Sequence, residues 1–401
     1  GEWEAALPLY GGDFLAGFYL REAPEFEEWA LMERERLRLL AVEGLQKLVA
    51  AYQRRGDYWA GLQAVTQLLG IEPLLENAHR TRMLLLARTD QRPLALQQYQ
   101  TAVALFETEL GIALTAATTA LYERIARLAL PPPCVLPARR RHFVGRAAEL
   151  AAVRQALVDR ERRLVTLVGP GGIGKTRLAQ EVGRCIYAET PGLFLDGIYF
   201  VELASIGDGD TAIEAIATHI AQAVDAPLSS ARPASQQLLA HLQEREMLLI
   251  LDNFEQLVET AVGYLADLLQ DAPNLTLLVT SRERLNLYEE TVLTLDGLPT
   301  SDPDEPADEP AEAVQLFLRN VQQHNLNFAA SAETVAEIGA ICRLLDGVPL
   351  GIELAAGWAR RDSVAGIARQ IKASAAFLAT DLRNVPPRHR SLRAVFLHSW
   401  E

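Results

Sequence analysis

Lysine is nearly absent from this chain. Of its 38 basic residues only three are lysines, namely Lys47, Lys175 and Lys372. Acidic residues number 52, and the formal net charge at pH 7 is −14. This charge argues against a chain that wraps nucleic acid by itself, because phosphate backbones attract basic surfaces. A lysine kept at position 175 of a chain that otherwise uses arginine therefore marks a place to inspect.

Cysteines and long apolar runs are also scarce. The three cysteines, Cys134, Cys185 and Cys342, lie far apart and match no metal-ligand spacing, which argues against a disulfide framework. No uncharged apolar run approaches the ~20 residues that cross a bilayer. No basic segment followed by an apolar one marks a signal peptide either. These absences predict a cytoplasmic chain in a reducing compartment, without membrane contact.

Apolar residues, in contrast, are abundant. They make up 49% of the 401 residues and charged residues make up 22%, which excludes global disorder and allows two or three domains. The chain starts with Gly1 and stops within SLRAVFLHSWE, a segment with a helical pattern. We therefore expect a piece of a longer protein.

Residues 1–130 have the apolar periodicity of helices. Apolar side chains recur at steps of three and four residues through 29–69. The segment GDYWAGLQ aligns with DQRPLALQ 34 residues later, so that Gly61 corresponds to Ala95. This period is typical of tetratricopeptide helix-turn-helix arrays, and a generic helical bundle is the alternative.

A proline- and arginine-rich segment, 131–142, reads as an extended linker whose arginines face solvent or touch phosphate. Short apolar runs then alternate with amphipathic helices, which indicates an α/β domain with a parallel sheet covered on both faces. The predicted strands are 164–168, 197–203, 247–252, 275–280 and 291–296. A segment with four prolines and six carboxylates follows, and it predicts a surface loop or hinge before helical patterns resume.

The segment GPGGIGKT, residues 169–176, matches the phosphate-binding pattern G-x-x-x-x-G-K-[ST]. It follows an apolar strand and opens a helix, as that pattern requires. Its glycines let backbone N–H groups curl around phosphate oxygens, and the start of the helix adds the positive end of its dipole. The four glycines are Gly169, Gly171, Gly172 and Gly174. Lys175 is predicted to reach the β- and γ-phosphates and Thr176 to ligate Mg²⁺. We add Ile173 and Arg177, which flank these positions, to the predicted nucleotide-binding residues.

A phosphate site with Mg²⁺ needs a carboxylate at the end of a neighbouring strand, and Asp252 ends the strand MLLILD. Asp252 is therefore predicted as a second residue of the Mg²⁺ site. Glu255 is preferred over Asn253 for activating the attacking water, because an amide cannot act as a base. The alternative for Glu255 is an exposed residue in the first turn of a helix.

The next strand ends in polar residues, Thr280, Ser281 and Arg282, which lie where they could sense a γ-phosphate. Arg282 is preferred to Arg284 because it lies nearer the end of the strand. A charged arginine there would distinguish ATP from ADP. A structural salt bridge is the competing interpretation.

These motifs, in this order, resemble the NB-ARC class of signal-transduction ATPases (STAND). FVGR is similar to a motif of this class that lines the adenine site, which implies that Phe143, Val144 and Arg146 contact the base. DGVPLGIELAA is similar to its G-x-P motif, which implies that Pro349 packs on adenine from a helical lid. The resemblance covers about 143–400 and implies ATP or ADP, with Mg²⁺, as cofactors.

The helical part resembles the bacterial transcriptional activator domain of SARP-type regulatory proteins. The similarity lies in GGDFLAGFY, EEWALMERERLRLL and LYERIARL. In that family a DNA-binding domain precedes this domain and an NB-ARC ATPase follows it. The implied order is a tetratricopeptide-like domain (1–130), the linker (131–142), a P-loop nucleotide-binding domain (143–297), a hinge (298–312), a helical lid (313–380) and the start of a winged-helix segment (381–401).

The resemblance implies a regulatory switch. ADP would hold the ATPase and its lid closed, and exchange for ATP would open the hinge and expose surfaces for self-association. Promoter DNA and RNA polymerase would be reached through missing domains, in response to an unknown signal. Many NB-ARC proteins carry two acids where this chain has Asp252-Asn253, so we expect a slow regulatory ATPase. The alternative is an interaction scaffold with a structural ADP that never exchanges.

Overall fold

The computed structural model describes residues 2–20, 22–139, 143–300, 310–324, 328, 330–359 and 361–373. The chain forms two compact units. Unit 1 takes in the residues up to Cys134 together with 158–160 and 186–197, and unit 2 takes in 135–157, 161–185 and the described residues from Ile198 onward. The predicted winged-helix segment, 381–401, and most of the predicted hinge lie outside the described residues.

Unit 1 is helical, as the periodicity predicts. Its helices are α1 (Glu2–Ala6), α2 (Pro24–Arg55), α3 (Tyr58–Ile71), α4 (Glu76–Arg88), α5 (Arg92–Leu110) and α6 (Ala116–Arg127). From α2 to α6 each helix contacts the next. A Cβ added to Gly61 of α3 would lie 3.4 Å from a methyl group of Leu85, so the small residue lets α3 and α4 approach closely. The pairs α3–α4 and α5–α6 are the two helix-turn-helix units that the 34-residue repeat predicts.

Unit 2 is built on a sheet. The strands are β1 (Cys134–Val135), β2 (Leu164–Val168), β3 (Gly197–Glu202), β4 (Met247–Asp252), β5 (Thr276–Ser281) and β6 (Glu290–Thr294). Their order is β1-β3-β4-β5-β2-β6. β2 pairs in parallel with β5 and with β6, and β4 pairs in parallel with β5. All five predicted strands are present, each within two residues of its predicted bounds.

Two features of the sheet differ from expectation. The predicted linker contributes the short edge strand β1, because extended backbone beside a sheet edge can pair with it. The strand that carries Asp252 does not neighbour the strand before the phosphate-binding loop, since β5 lies between them. Strand order depends on how each crossover connection runs, which local sequence patterns do not encode.

Helices cover both faces of this sheet. They are α7 (Ala147–Val158), α8 (Lys175–Glu189), α9 (Ala212–Ala223), α10 (Ala234–Leu242) and α11 (Val258–Asp271). Leu249 and Leu251 of β4 pack with residues of α9, α10 and α11. Ile250 points to the opposite face and is also fully buried, because side chains alternate along a strand. There Gly183 of α8 approaches the Ile250 methyl group so closely that an added Cβ would lie 3.0 Å from it.

The remaining helices of unit 2 lie in the segment that is predicted to be the lid. They are α12 (Glu312–His324), α13 (Ala332–Leu344), α14 (Pro349–Trp358) and α15 (Val364–Ala373). Their apolar faces bury a core of their own around Phe317, Ile341, Ile352 and Ile367. Among the described residues, no helix combines the length and apolar character that crossing a membrane requires.

A buried polar network joins α4 and α5 in unit 1. His79 is 4% exposed, and its Nε2 donates to the carbonyl oxygen of Pro73 at 2.7 Å. Nδ1 then accepts from the Gln98 side-chain amide at 2.6 Å, and Gln98 in turn accepts from Arg82. Burial lowers the pKa of His79, and the nearby charge of Arg82 lowers it further. The network therefore requires a neutral imidazole.

We expect unit 1 to lose stability as the pH falls below about 6.5, where the unfolded His79 takes up a proton that the folded ring resists. The loss should continue until the pH reaches the lowered folded pKa. Calorimetric unfolding of the whole chain between about pH 7.5 and about pH 5 measures this change. His79→Gln should show a weaker dependence in the same transition, and equal slopes for both chains would contradict the assignment.

Candidate nucleotide-binding site

The loop that joins β2 to α8 has backbone geometry that favours glycine. Gly172 and Gly174 have φ angles of +77° and +99°, in the left-handed region. A Cβ on Gly169 would lie 2.8 Å from the carbonyl oxygen of Leu295, where there is no room for it. The loop leads directly into Lys175, the first residue of the 15-residue helix α8. A glycine-rich loop at the start of such a helix is suited to binding an anion.

Lys175 folds over this loop. Its side chain is held at 7% residue exposure, and Nζ donates to the carbonyl oxygens of Gly169 at 2.6 Å and Pro170 at 3.1 Å. Burial lowers the pKa of Lys175, whereas the negative charge of Glu255 acts in the opposite direction. The ammonium group is therefore poorly hydrated and is stabilised by carbonyl oxygens and by a nearby carboxylate.

Asp252, at the end of β4, meets hydroxyl groups from two other elements. Thr176 Oγ1 on α8 donates to Asp252 Oδ1 at 2.6 Å, and Thr280 Oγ1 on β5 donates to the same oxygen at 2.7 Å. Asp252 is 2% exposed, and burial raises its pKa, while both hydroxyls act to lower it. The structure thus brings together Thr176 and Asp252, the two predicted Mg²⁺ residues.

A left-handed turn follows Asp252. Asn253 has φ +64° and ψ +55°, a conformation that asparagine tolerates better than most residues. The turn sends Phe254 into the core, where it is fully buried. It also places Glu255 beside Arg282, with Oε1 3.2 Å from Nε. Glu255 is therefore not the exposed helix residue that was its alternative interpretation.

The Glu255–Arg282 pair is partly shielded from water. The two side chains are 16% and 29% exposed. The second oxygen of Glu255, Oε2, is buried and accepts no hydrogen bond in the described part of the chain. Arg282 thus forms the salt bridge that was weighed against its role as a phosphate sensor, and the partner is the residue predicted as the base.

Arg146, predicted at the adenine site, lies in a different setting. It is 3% exposed, and Nη2 donates to the carbonyl oxygens of Ile173 at 2.9 Å and Asp296 at 2.7 Å. Its backbone N–H donates to the Glu312 carboxylate at 2.9 Å, at the start of the lid. The guanidinium is therefore engaged by the phosphate-binding loop and by the segment after β6. Its contact with a base stays a prediction, as do those of its neighbours in the FVGR motif, of which Val144 packs against the lid core.

The lid helix α14 rests on the phosphate-binding loop. The backbone N–H of Leu350 donates to the carbonyl oxygen of Gly172 at 3.2 Å. Pro349, the first residue of α14, is buried, and its ring lies 3.9 Å from where a Cβ on Gly174 would be. One turn further along α14, Glu353 forms an ion pair with Arg177. Glu353 is absent from the predicted site, although its spacing of four residues from Pro349 puts both on one helical face.

These elements together define a P-loop nucleotide-binding domain. A glycine-rich loop lies between a parallel strand and a helix, and a lysine and a hydroxyl follow it. A buried carboxylate from another strand meets that hydroxyl, as it does where Mg²⁺ and nucleotide phosphates are held. Helix α14 contacts the loop.

Comparison with known proteins gives matches for both the helical part and the nucleotide-binding part of the chain. Residues 142–331 match the AAA ATPase domain, and residues 2–126 match the Bacterial transcriptional activator domain. The chain therefore joins a transcriptional activator domain to a nucleotide-binding ATPase domain. This pair fits the SARP-type regulator with an ATPase that the sequence motifs predicted.

Curated relatives are found in mycobacteria. An uncharacterized protein of Mycobacterium tuberculosis is 36% identical over 231 residues, which are 57% of this chain and 53% of the relative. A second protein of that species, provisionally named an HTH-type transcriptional regulator, is 34% identical over 234 residues, 58% of this chain and 24% of the relative. The chain thus spans about half the length of the first relative and a quarter of the second.

Solved structures show more distant likeness. A STAND protein with a tetratricopeptide repeat sensor from Pyrococcus horikoshii has 18% identity and a TM-score of 0.37, over 59% of this chain and 33% of that one. Cdc6p from Pyrobaculum aerophilum has 18% identity and a TM-score of 0.38, over 58% of this chain and 65% of that one.

The buried position of Arg146 predicts a large effect on stability. Arg146→Lys keeps the charge, but its one nitrogen replaces both Nη2, which serves the two carbonyl oxygens, and Nη1, which donates to Glu149, so we expect unit 2 to lose about 1–3 kcal/mol. Chemical denaturation of the whole chain measures this loss. Arg319→Lys, on an exposed position of α12, is the matched control and should be neutral. Equal stability of the two variants would show that the hydrogen bonds of the Arg146 side chain do not stabilise unit 2.

Proposed function

We propose that this chain is the nucleotide-operated switch of a bacterial transcriptional regulator, in which ATP and ADP favour different positions of the lid. The observation that carries this proposal is the seating of α14 on the phosphate-binding loop, through Leu350 N–H and Gly172 and through Glu353 and Arg177. A nucleotide held by that loop would lie beside α14, so its binding and release would affect the position of the lid. Nucleotide and lid positions are then linked equilibria.

The donor set fits Mg²⁺ and a nucleotide phosphate. Both hydroxyl bonds to Asp252 end on Oδ1, which leaves Oδ2 for the metal or its water shell. Thr176 would exchange its bond to Asp252 for the metal, and Lys175 would exchange carbonyl oxygens for phosphate oxygens. When bound, Mg²⁺ would neutralise charge on the β- and γ-phosphates. Magnesium prefers such oxygen ligands.

We infer slow hydrolysis from the ion pair between Arg282 and Glu255, the predicted base. Arg282 holds Oε1 of Glu255, which leaves only the buried Oε2 open to a water. A γ-phosphate would compete for Arg282, since a guanidinium binds phosphate well. Arg282 then leaves Glu255 and reports the presence of ATP. We infer a regulatory ATPase that converts ATP to ADP and phosphate slowly, unlike a metabolic ATPase with fast turnover.

Opening of the lid would expose surfaces for self-association of the full protein. Leu298 and Glu312, at the two ends of the predicted hinge, form hydrogen bonds within unit 2. Leu298 N–H donates to Gly347 at 2.8 Å, and Glu312 accepts from Arg146. The activator domain would pass the nucleotide state to promoter DNA and RNA polymerase in the bacterial cytoplasm, through segments outside this chain. The relative named as an HTH-type regulator supports that assignment.

Lys175→Ala should abolish tight nucleotide binding, measured by titration with a fluorescent ATP analogue. Lys47→Ala is the matched control, because Lys47 is a half-exposed lysine of α2. Unchanged binding by Lys175→Ala would remove the core of the proposal. Nucleotide released by denaturation separates the alternative: one ADP per chain that added ATP never displaces would indicate a scaffold with structural ADP.

Breaking the lid contact should speed release of ADP. We expect Glu353→Gln to raise the dissociation rate of a fluorescent ADP analogue roughly two- to fivefold, as a partly exposed ion pair of about 0.5–1 kcal/mol permits. The exchange Arg177→Glu with Glu353→Arg should restore slow release. Glu333→Gln, on an exposed position of α13, is the control. Failure of the exchanged pair to restore slow release would show instead that Arg177 acts on the nucleotide directly.

A further inference from the structure

We infer that residues 190–196, which follow α8, carry the nucleotide state into the activator domain. This inference rests on the proposed function and names the route of its signal. The residues, here called the docking segment, lie inside the range that matches the AAA ATPase domain. They nevertheless belong to unit 1, together with the helices that match the activator domain. The docking segment is thus part of one domain by sequence and of the other by packing.

A leucine of the docking segment lies in the core of the helical repeat. Leu195 is 1% exposed, although it belongs to a connection between a helix and a strand, and such connections usually run over the surface. The buried residues of the same core come from α4, α5, α6 and the residue after α6: Met83, Leu86, Ala87, Ala95, Ile125 and Leu128. The packing of the activator helices therefore depends on a side chain from the docking segment.

Polar groups on two helices also hold the docking segment. At the end of α4, Arg88 Nη1 donates to the carbonyl oxygens of Gly192 at 2.6 Å and of Leu193 at 3.1 Å. The backbones are in close contact, since a Cβ added to Gly192 would overlap the carbonyl oxygen of Arg88. On α6, Arg124 forms an ion pair of 2.9 Å with Asp196, whose side chain is 4% exposed. Helices of both repeat units therefore bind this segment.

Helix α8 connects the docking segment to the phosphate-binding loop. It begins at Lys175 and its last residue is Glu189. The hydrogen bonding continues into the docking segment, because the N–H of Thr190 donates to the carbonyl oxygen of Ile186 at 2.8 Å. A continuous helix is a rigid element of the kind that carries coupling between distant sites. A nucleotide that orders the first turn of α8 therefore restricts the docking segment and the helices that hold it.

The test is hydrogen–deuterium exchange of the whole chain, with saturating ADP and Mg²⁺ and without nucleotide. In the unaltered chain we expect ADP to slow exchange of the amides of α4 and α6 at least about fivefold, the lower end of typical coupling between two sites. These helices lie outside the range that matches the ATPase domain. The ratio of the two exchange rates is the readout, because a merely structural contact would change both rates alike.

Gly192→Ala separates the docking segment from α4, because its methyl group would overlap the carbonyl oxygen of Arg88. We expect this variant to lose the slowing by ADP in α4 and α6. Because coupling is reciprocal, it should also bind a fluorescent ADP analogue about fivefold less tightly. Gly207→Ala is the matched control, since a Cβ there would meet nothing within 4 Å.

Arg124→Gln is a second variant, which leaves the backbone of the docking segment unaltered and decides the question if Gly192→Ala does not fold. It removes the ion pair with Asp196 and should reduce the slowing by ADP. Arg127→Gln, three residues further along α6, is its control. That substitution removes an ion pair whose arginine side chain is 77% exposed, and it should keep the full slowing.

Two results would overturn the inference. One is exchange in α4 and α6 that ADP leaves unchanged, although ADP protects the phosphate-binding loop. The other is a folded Gly192→Ala or Arg124→Gln variant whose ratio of rates equals that of its control. Failure of the proposed function has a different signature, because ADP would then protect neither the phosphate-binding loop nor the helices.

Discussion

The site depends on a buried carboxylate that must be hydrogen-bonded. Asp252 is buried at the carboxyl end of β4, and a carboxylate shielded from water is tolerated only with hydrogen-bond donors around it. The donors come from Thr176 at the start of α8 and Thr280 at the end of β5. The requirement of one oxygen therefore ties together the phosphate-binding helix and two strands. The positions of Lys175 and Glu255 follow from that arrangement.

The lid contacts the nucleotide-binding site through both side-chain and main-chain groups. Side chains make two of the contacts, from Glu312 to the N–H of Arg146 and from Glu353 to Arg177. A main-chain bond also joins α14 to the phosphate-binding loop, and at position 350 only proline would remove its N–H donor. Side-chain variation can therefore tune how long the lid remains closed, while the direction of its approach is fixed by the backbone.

Much of this architecture could be predicted from local patterns. Strands, helices and the phosphate-binding loop were found because their signals lie in short stretches of sequence, and the spacing of Gly61 and Ala95 gave the helical repeat. The order of the strands, the edge strand β1 and the Arg146 contacts could not be predicted, because each depends on segments that meet only in the folded chain. Glu353 could have been predicted, since it lies four residues after Pro349 and therefore on the same helical face.

Asn253 carries a consequence for how such sites are recognised. Its left-handed backbone turns the chain so that a second carboxylate whose charge acts on Lys175 comes from Glu255, two positions beyond 253, where an adjacent second acid would stand. A glutamate at 253 would occupy a conformation that costs most residues about 1–2 kcal/mol, whereas aspartate, like asparagine, tolerates it. Motif definitions that count acids by position therefore miss Glu255, although its carboxylate lies beside Arg282 in this site.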